Sequence, residues 1–174
     1  MDNATIKAAQ IGQREAMAEL LRSLQDPWFR LSLTLLGNPE DAREATQETA
    51  LRFLHALPQF AGQSQLKTWA IGIALNVIRE YRRKRQLAPA DELERPSNGP
   101  QPDIQAELAE QCQLLRSLLD ELPERQREAL ILRYFEDLSI VDAATTMSCA
   151  PGTVKATIHQ ALRALRRRML AMDE

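Results

Sequence analysis

Leu138–Arg168 reads LSIVDAATTMSCAPGTVKATIHQALRALRRR, and its spacing predicts two helices joined by a tight turn. Ser139 is placed to cap the first helix, with Asp142 three residues on in the capping-box position. Ala143, Ala144 and Met147 give that helix a thin apolar side. Ser148-Cys149-Ala150 forms the turn. Pro151 suits the first position of the next helix, where its missing N–H has no partner to lose. Val154, Ile158, Ala161, Leu162 and Leu165 then recur on one face. The opposite face carries Thr153, Lys155, Thr157, His159, Gln160 and Arg163. From Gly152 to Arg168 there are five Lys/Arg and no acid. A charge run alone is an ordinary solvated face. Cap, turn and one-sided positive charge together point to a helix-turn-helix whose second helix enters a DNA major groove.

The remaining composition frames this element. The chain has 174 residues, 44% hydrophobic and 26% charged, as a soluble globular protein has. Glycine and aromatics are scarce, which favours helices over sheets. No apolar run approaches the ~20 residues of a membrane span. The start, MDNATIKAAQIGQREAM, lacks the basic and apolar segments of a secretory signal, so a cytoplasmic protein without membrane insertion is expected. Cys112 and Cys149 lie far apart with no metal-ligand spacing around them, so no cofactor or metal is expected and the thiols read as small buried groups. The formal charge is −2, yet it is unevenly distributed. Arg79 to Arg85 holds five positive charges and one negative, and Asp91 to Glu110 holds six acids and one arginine. Two basic patches separated by acidic stretches fit two DNA contacts and a protein partner.

Along the chain, residues 1 to about 24 predict a helix with Ile11, Met17, Leu20, Leu21 and Leu24 as its stripe. Asp26-Pro27 is expected to break it. Trp28 to Leu36 is a dense apolar segment ending at Gly37-Asn38-Pro39. A further helix is expected from about Glu40 to Leu57, with Ala42, Ala45, Thr49, Phe53, Leu54 and Leu57 inward and Asp41, Glu44, Gln47 and Glu48 outward. A polar loop, Gln59 to Ser64, precedes a long helix from Gln65 to Arg85. Leu66, Trp69, Ala70, Ile73, Ala74, Val77 and Tyr81 line one side of it, with Lys67, Asn76, Arg79, Arg82 and Arg83 on or near the other. A loop beside a basic helix can hold single-stranded DNA, phosphates on the cations and an unstacked base in a pocket. The proline-rich stretch from Gln86 to Asp103 reads as an extended linker. Leu108, Leu115, Leu118, Leu119 and Leu122 then predict a helix ending at Pro123, and Arg125 to Phe135 another, with Ala129, Leu130, Leu132 and Tyr134 available to the core. The expectation is an all-α chain of two small helical domains, 1–86 and 105–174, joined by a flexible linker at 87–104.

Two motifs carry a family resemblance. Residues 41–85, DAREATQETALRFLHALPQFAGQSQLKTWAIGIALNVIREYRRKR, resemble region 2 of an extracytoplasmic-function sigma factor of bacterial RNA polymerase. Residues 119–165, LDELPERQREALILRYFEDLSIVDAATTMSCAPGTVKATIHQALRAL, resemble region 4 of that sigma-70 family. The resemblance implies that Asp41, Glu44, Gln47 and Glu48 hold the polymerase clamp. It implies that Phe60, Gly62, Gln63, Ser64, Lys67, Thr68, Asn76, Arg79, Arg82 and Arg83 open and read the −10 element. It implies that the second domain docks on the polymerase flap and reads the −35 element through Thr153, Lys155, Thr157, His159, Gln160 and Arg163. Core RNA polymerase and promoter DNA are the implied partners, an anti-sigma factor is compatible with the pattern, and the free protein is implied to be a monomer. Departures stand at Thr157 and Gln160, where relatives often have arginine. Ser148 replaces a common turn glycine, Ala150 a common capping serine, and Arg43 a usual acid of the clamp-binding face.

No constellation argues for an enzyme. His55 and His159 fall in different expected domains, and neither a glycine-rich phosphate loop nor paired carboxylates in a pocket is evident. The other reading of these residues is a conventional dimeric helix-turn-helix regulator, which needs a palindromic site. A helical adaptor that ignores DNA is a third. The basic patch from Arg79 to Arg85 and the acidic face beginning at Asp41 favour the first reading.

Overall fold

The computed structural model describes residues 2–87 and 114–172, and every regular element among them is helical. The chain divides into two compact units, Met1–Ser97 and Asn98–Glu174. Apart from Leu87, the expected linker at 87–104 lies outside the described residues, as do Leu108 and Cys112.

In the first unit the expected opening helix is two helices. Helix α1 (Asn3–Gln10) is capped by Asp2, whose carboxylate accepts the Thr5 N–H at 2.7 Å. Gly12 then takes φ 86°, a left-handed turn that glycine adopts without strain, and Ile11 is left exposed rather than in the stripe. Helix α2 (Arg14–Leu36) starts after that turn and continues through Asp26-Pro27, the expected break. A proline inside a helix costs about 3 kcal/mol through its lost hydrogen bond and ring clash. Continuation places Leu20, Leu24, Trp28, Leu31 and Leu35 in the core. Each such side chain contributes roughly 1.5–3 kcal/mol on burial, so burial outweighs the proline. Left-handed Gly37 ends the helix at φ 73°.

Asn38 caps α3 (Pro39–Ala56), accepting the Glu40 and Asp41 N–H groups. One 3₁₀ turn (Leu57–Gln59) and the polar loop lead into α4 (Leu66–Leu87). Helix α2 packs against α1, α3 and α4. Trp28 is fully buried there, and its indole N–H donates to the Ala70 carbonyl of α4 at 3.2 Å. Its ring meets Phe53 edge-on at 5.3 Å, Phe53 meets Trp69 at 5.5 Å, and Trp69 meets Phe60 at 4.9 Å. An aromatic column thus runs from the core to the loop. Beside it, Arg52 of α3 grips Glu80 of α4 with both ends of its guanidinium, at 2.7 and 2.8 Å. Its Nε donates to Glu48 at 2.6 Å.

The second unit holds α5 (helical at 114–120), α6 (Glu124–Leu130), α7 (Ile140–Met147) and α8 (Pro151–Met172). Buried Arg127 donates to the Asp120 carboxylate at 2.9 Å and to the Asp120 and Leu122 carbonyls at 2.8 and 3.2 Å, tying α5 to α6. Helix α6 runs on into a π-helical turn, Ile131–Phe135. That wider turn keeps Ile131 and Leu132 buried and turns Tyr134 and Phe135 outward. Tyr134 therefore does not join the core as expected. Leu162 of α8 is likewise 44% exposed, at the margin of the apolar face rather than within it. Both α6 and α7 pack on α8.

Pro27→Ala is expected to stabilise the protein by about 1–2 kcal/mol, the restored helix bond being offset in part by a freer unfolded chain. Urea unfolding measures it, and no change in midpoint would contradict the balance drawn above. A second expectation concerns Glu80, whose pKa is lowered chiefly by the hydrogen bonds from Arg52. A lowered carboxylate pKa stabilises the fold above the unfolded value and loses that contribution as pH falls through the folded one. The pair is more than a third exposed, so Glu80→Gln is expected to cost under about 1 kcal/mol at neutral pH. The difference from the parent should begin to shrink as pH falls below the unfolded carboxyl value of about 4.3 and vanish only below the lowered folded one, as read by thermal unfolding across pH.

Candidate nucleic-acid interface

The helix-turn-helix is built as its residues dictate. The Ser139 hydroxyl oxygen accepts the Asp142 N–H at 3.0 Å, and the hydroxyl donates to the Asp142 carboxylate at 2.6 Å. Ser148 ends α7 in the left-handed region at φ 52°, where glycine is easier. Arg125 of α6 donates to the Met147 carbonyl at 3.0 Å, occupying one of the open acceptors at that helix end. Ala150 has no side-chain cap to offer, but its carbonyl accepts the Thr153 and Val154 N–H groups at 2.9 and 3.2 Å. Val154, Ile158 and Ala161 are buried. Thr153, Lys155, His159, Gln160 and Arg163 are exposed, and Thr157 is half-buried. Five of the six residues expected at the −35 element thus lie on the open side of α8. Further along, Arg166 and Arg167 are exposed, while Arg168 pairs with Glu121 at 2.9 Å.

In the first unit the crest of the loop after α3 is open to solvent. Ala61, Gly62 and Gln63 are exposed, and Phe60 and Ser64 are half-buried. Gly62 takes φ 70° with open space around it, so the backbone turn and not crowding calls for glycine. Lys67 is exposed, but Thr68 is only 2% exposed. Its side chain lies within the domain and offers no surface to DNA, which removes it from the expected −10 set. On α4, Asn76 and Arg83 are exposed, and Arg79 and Arg82 half-buried. Asn76, Arg79 and Arg83 line one open cleft together with Ile73, Glu80 and Arg52.

The acidic flank of α3 is less free than its sequence suggests. Asp41 pairs with Arg85 at 2.8 Å, and Glu48 with Arg52. Tyr81 of α4 faces the same acids. Its phenol is held protonated above its usual range, first by burial and then by the charges of Glu44, Glu48 and Asp41. Glu44 and Gln47 are exposed. Sequence reasoning missed Arg52. Its spacing of four from Glu48 is a helix-pair signal, but its bond to Glu80 crosses 28 positions. Among the described residues no His, Cys, Asp and Glu group could hold a metal, and no helix is long and apolar enough to cross a membrane. Cys149 is a free thiol, half-buried in the turn.

Known proteins resemble both units. Residues 20–88 match the family model described as Sigma-70 region 2, and residues 112–165 that of Sigma-70, region 4. The ECF RNA polymerase sigma factor EcfG of Rhodopseudomonas palustris is 37% identical over 132 residues, 75% of this chain and 72% of the relative. The ECF RNA polymerase sigma factor SigC of Mycobacterium tuberculosis is 32% identical over 167 residues, 92% of this chain and 86% of the relative. Among solved structures, CnrH in complex with the cytosolic domain of CnrY superposes with a TM-score of 0.74 at 22% identity, over 98% of this chain and 97% of that one. The sigma factor RpoE in complex with the anti-sigma factor NepR from Bartonella quintana gives 0.68 at 24%, over 90% and 98%. With both regions matched in order and relatives of this identity over most of its length, the chain belongs to the extracytoplasmic-function sigma factors, which direct bacterial RNA polymerase to promoters.

Proposed function

We propose a division of labour along the chain. The domain at 1–86 binds the polymerase clamp and the −10 element, the stretch 87–104 links the domains, and the domain at 105–174 docks on the flap and reads the −35 element. The observation that carries this is a pairing of two surfaces. The open face of α8 presents Thr153, Lys155, His159, Gln160 and Arg163, and the first unit presents an exposed loop crest, with Lys67 at the start of α4 and Asn76, Arg79 and Arg83 on one open cleft further along that helix. A rigid helix suits the major groove of duplex DNA. A loop with an aromatic root, followed by a helix that carries arginines along its length, suits a single strand, whose bases stack while its phosphates meet cations. Phe60, Gly62, Gln63, Ser64, Lys67, Asn76, Arg79, Arg82 and Arg83 form the −10 surface. Asp41, Glu44, Gln47 and Glu48 form the clamp surface. Asp41 and Glu48 reach it already paired with α4 or within α3, so polymerase cations add to existing ion pairs.

The free protein is a cytoplasmic monomer, and it performs no covalent chemistry. Binding energy is used to separate strands. Its acidic surfaces repel DNA until polymerase covers them, so the free protein binds promoters weakly. An anti-sigma factor is its regulator, as NepR is the partner of RpoE in the structure noted above.

Run-off transcription with core polymerase on a genomic library tests this. Transcripts that require the protein and start downstream of one shared bipartite motif are expected. Dimeric binding to a palindrome, without polymerase and without activation, would overturn it in favour of a conventional regulator. Lys155→Ala and Arg163→Ala should each weaken holoenzyme binding and lower the slope of log affinity against log salt by about 1 if they meet phosphates. An unchanged slope with altered sequence preference would assign them to bases instead.

A further inference from the structure

The loop that carries Phe60 is held by a residue far from it in sequence. Gln10, the last residue of α1, points its side-chain amide at the 3₁₀ turn. Its Nε2 donates to the Leu57 carbonyl at 3.1 Å and to the Phe60 carbonyl at 2.9 Å. Both partners are acceptors only, so the –NH₂ end must face them, and its two hydrogens serve one carbonyl each. These carbonyls lie at the two ends of the turn, which the Phe60 N–H closes onto the Leu57 carbonyl at 3.1 Å. The other side of Phe60 is its ring, packed at a tilt against Trp69 with centroids 4.9 Å apart. The root of the loop is thus fixed from two directions, by α1 through hydrogen bonds and by α4 through ring packing. The crest, Ala61 to Gln63, is exposed.

We infer that Gln10 is a positioning residue for promoter opening: it presets the strand-capturing loop, so the first helix of the chain takes part in melting without touching DNA. This rests on the reading of the Phe60 loop as the −10 surface. A loop ordered before it meets DNA gives up less conformational freedom on binding, and that saving appears in the open complex. Without the amide, two carbonyls at the root of the loop lose their donor, and the loop samples other positions.

Gln10→Met tests this, since methionine keeps the length and flexibility of glutamine but has no donor. Gln10→Lys restores N–H donors on a side chain of similar reach. With holoenzyme, open complexes are read by permanganate reactivity of unpaired thymines while sigma concentration is titrated. For Gln10→Met the expected result is about a tenfold loss in the maximal extent of opening, from two missing hydrogen bonds, at an unchanged half-saturating sigma concentration. Gln10→Lys should recover part of the loss. In the free protein, exchange of the Phe60 amide, whose N–H closes the turn onto Leu57, should quicken in Gln10→Met. Normal opening and normal exchange in Gln10→Met would overturn the inference. A rise in half-saturating concentration without loss of maximal opening would also overturn it, since that marks a weakened domain rather than a displaced loop. Phe60→Ala separates the two readings. If it opens promoters normally, the loop is not the −10 surface and the melting role of Gln10 falls with it. If Phe60→Ala is defective and Gln10→Met is not, the inference alone fails.

Discussion

The first unit depends on Trp28, buried at the centre of α2 with its indole N–H bonded to the carbonyl of Ala70. An indole in a core needs an acceptor for its N–H, and this one takes it from a helix backbone, which sets the depth and rotation of α4. Phe53, Trp69 and Phe60 then follow at aromatic stacking distances. The column also accounts for the unbroken α2. A break at Pro27 would change the direction from which Trp28, the next residue, meets Phe53 and the Ala70 carbonyl. Helix continuity, the α4 register and the place of the loop root are therefore one constraint expressed three times.

Charge is arranged on that frame by sign. A domain that must meet both a protein surface and DNA has to carry acids and bases close together, and opposite charges at such range find each other. Here Arg52 joins Glu48 to Glu80, and Arg85 meets Asp41. These pairs are partly exposed, so each stabilises the fold modestly. Their larger effect is to fix side chains that would otherwise wander, leaving Arg83 and Asn76 exposed on the same helix.

The two motifs were legible through a family resemblance, and the all-helical class and the helix-turn-helix because they rest on local rules. Capping at Ser139, proline at Pro151 and the 3.6-residue period of Val154, Ile158 and Ala161 need no knowledge of the rest of the chain. What escaped was decided at long range. Pro27 reads as a stop until the burial on either side of it is known. Tyr134 has core character by type, and only the π-helical turn puts it outside. Thr68 sits among exposed loop residues in sequence, yet the first turn of α4 carries it inward. Arg52 looks like half of a helix pair and is also a cross-helix link, and Gln10 finds its partners 47 and 50 positions away. A resemblance transfers a role along an alignment, but burial decides whether the side chain can perform it.

On the proposed division of labour, the two recognition surfaces are mechanically unlike because their targets are. A groove in duplex DNA is already formed, so a helix with a fixed open face suffices, and α8 has one anchored by Val154, Ile158 and Ala161. A flipped base does not exist until the strands part, and its capture must offset unstacking, which costs a few kcal/mol. A slack loop would add the cost of ordering itself, about 0.5–1.5 kcal/mol for each side chain immobilised. The loop after α3 reduces that addition by being pinned at the root and open at the crest. On the proposed reading, the bonds from α1 and the contact with Trp69 do this work from behind the exposed crest.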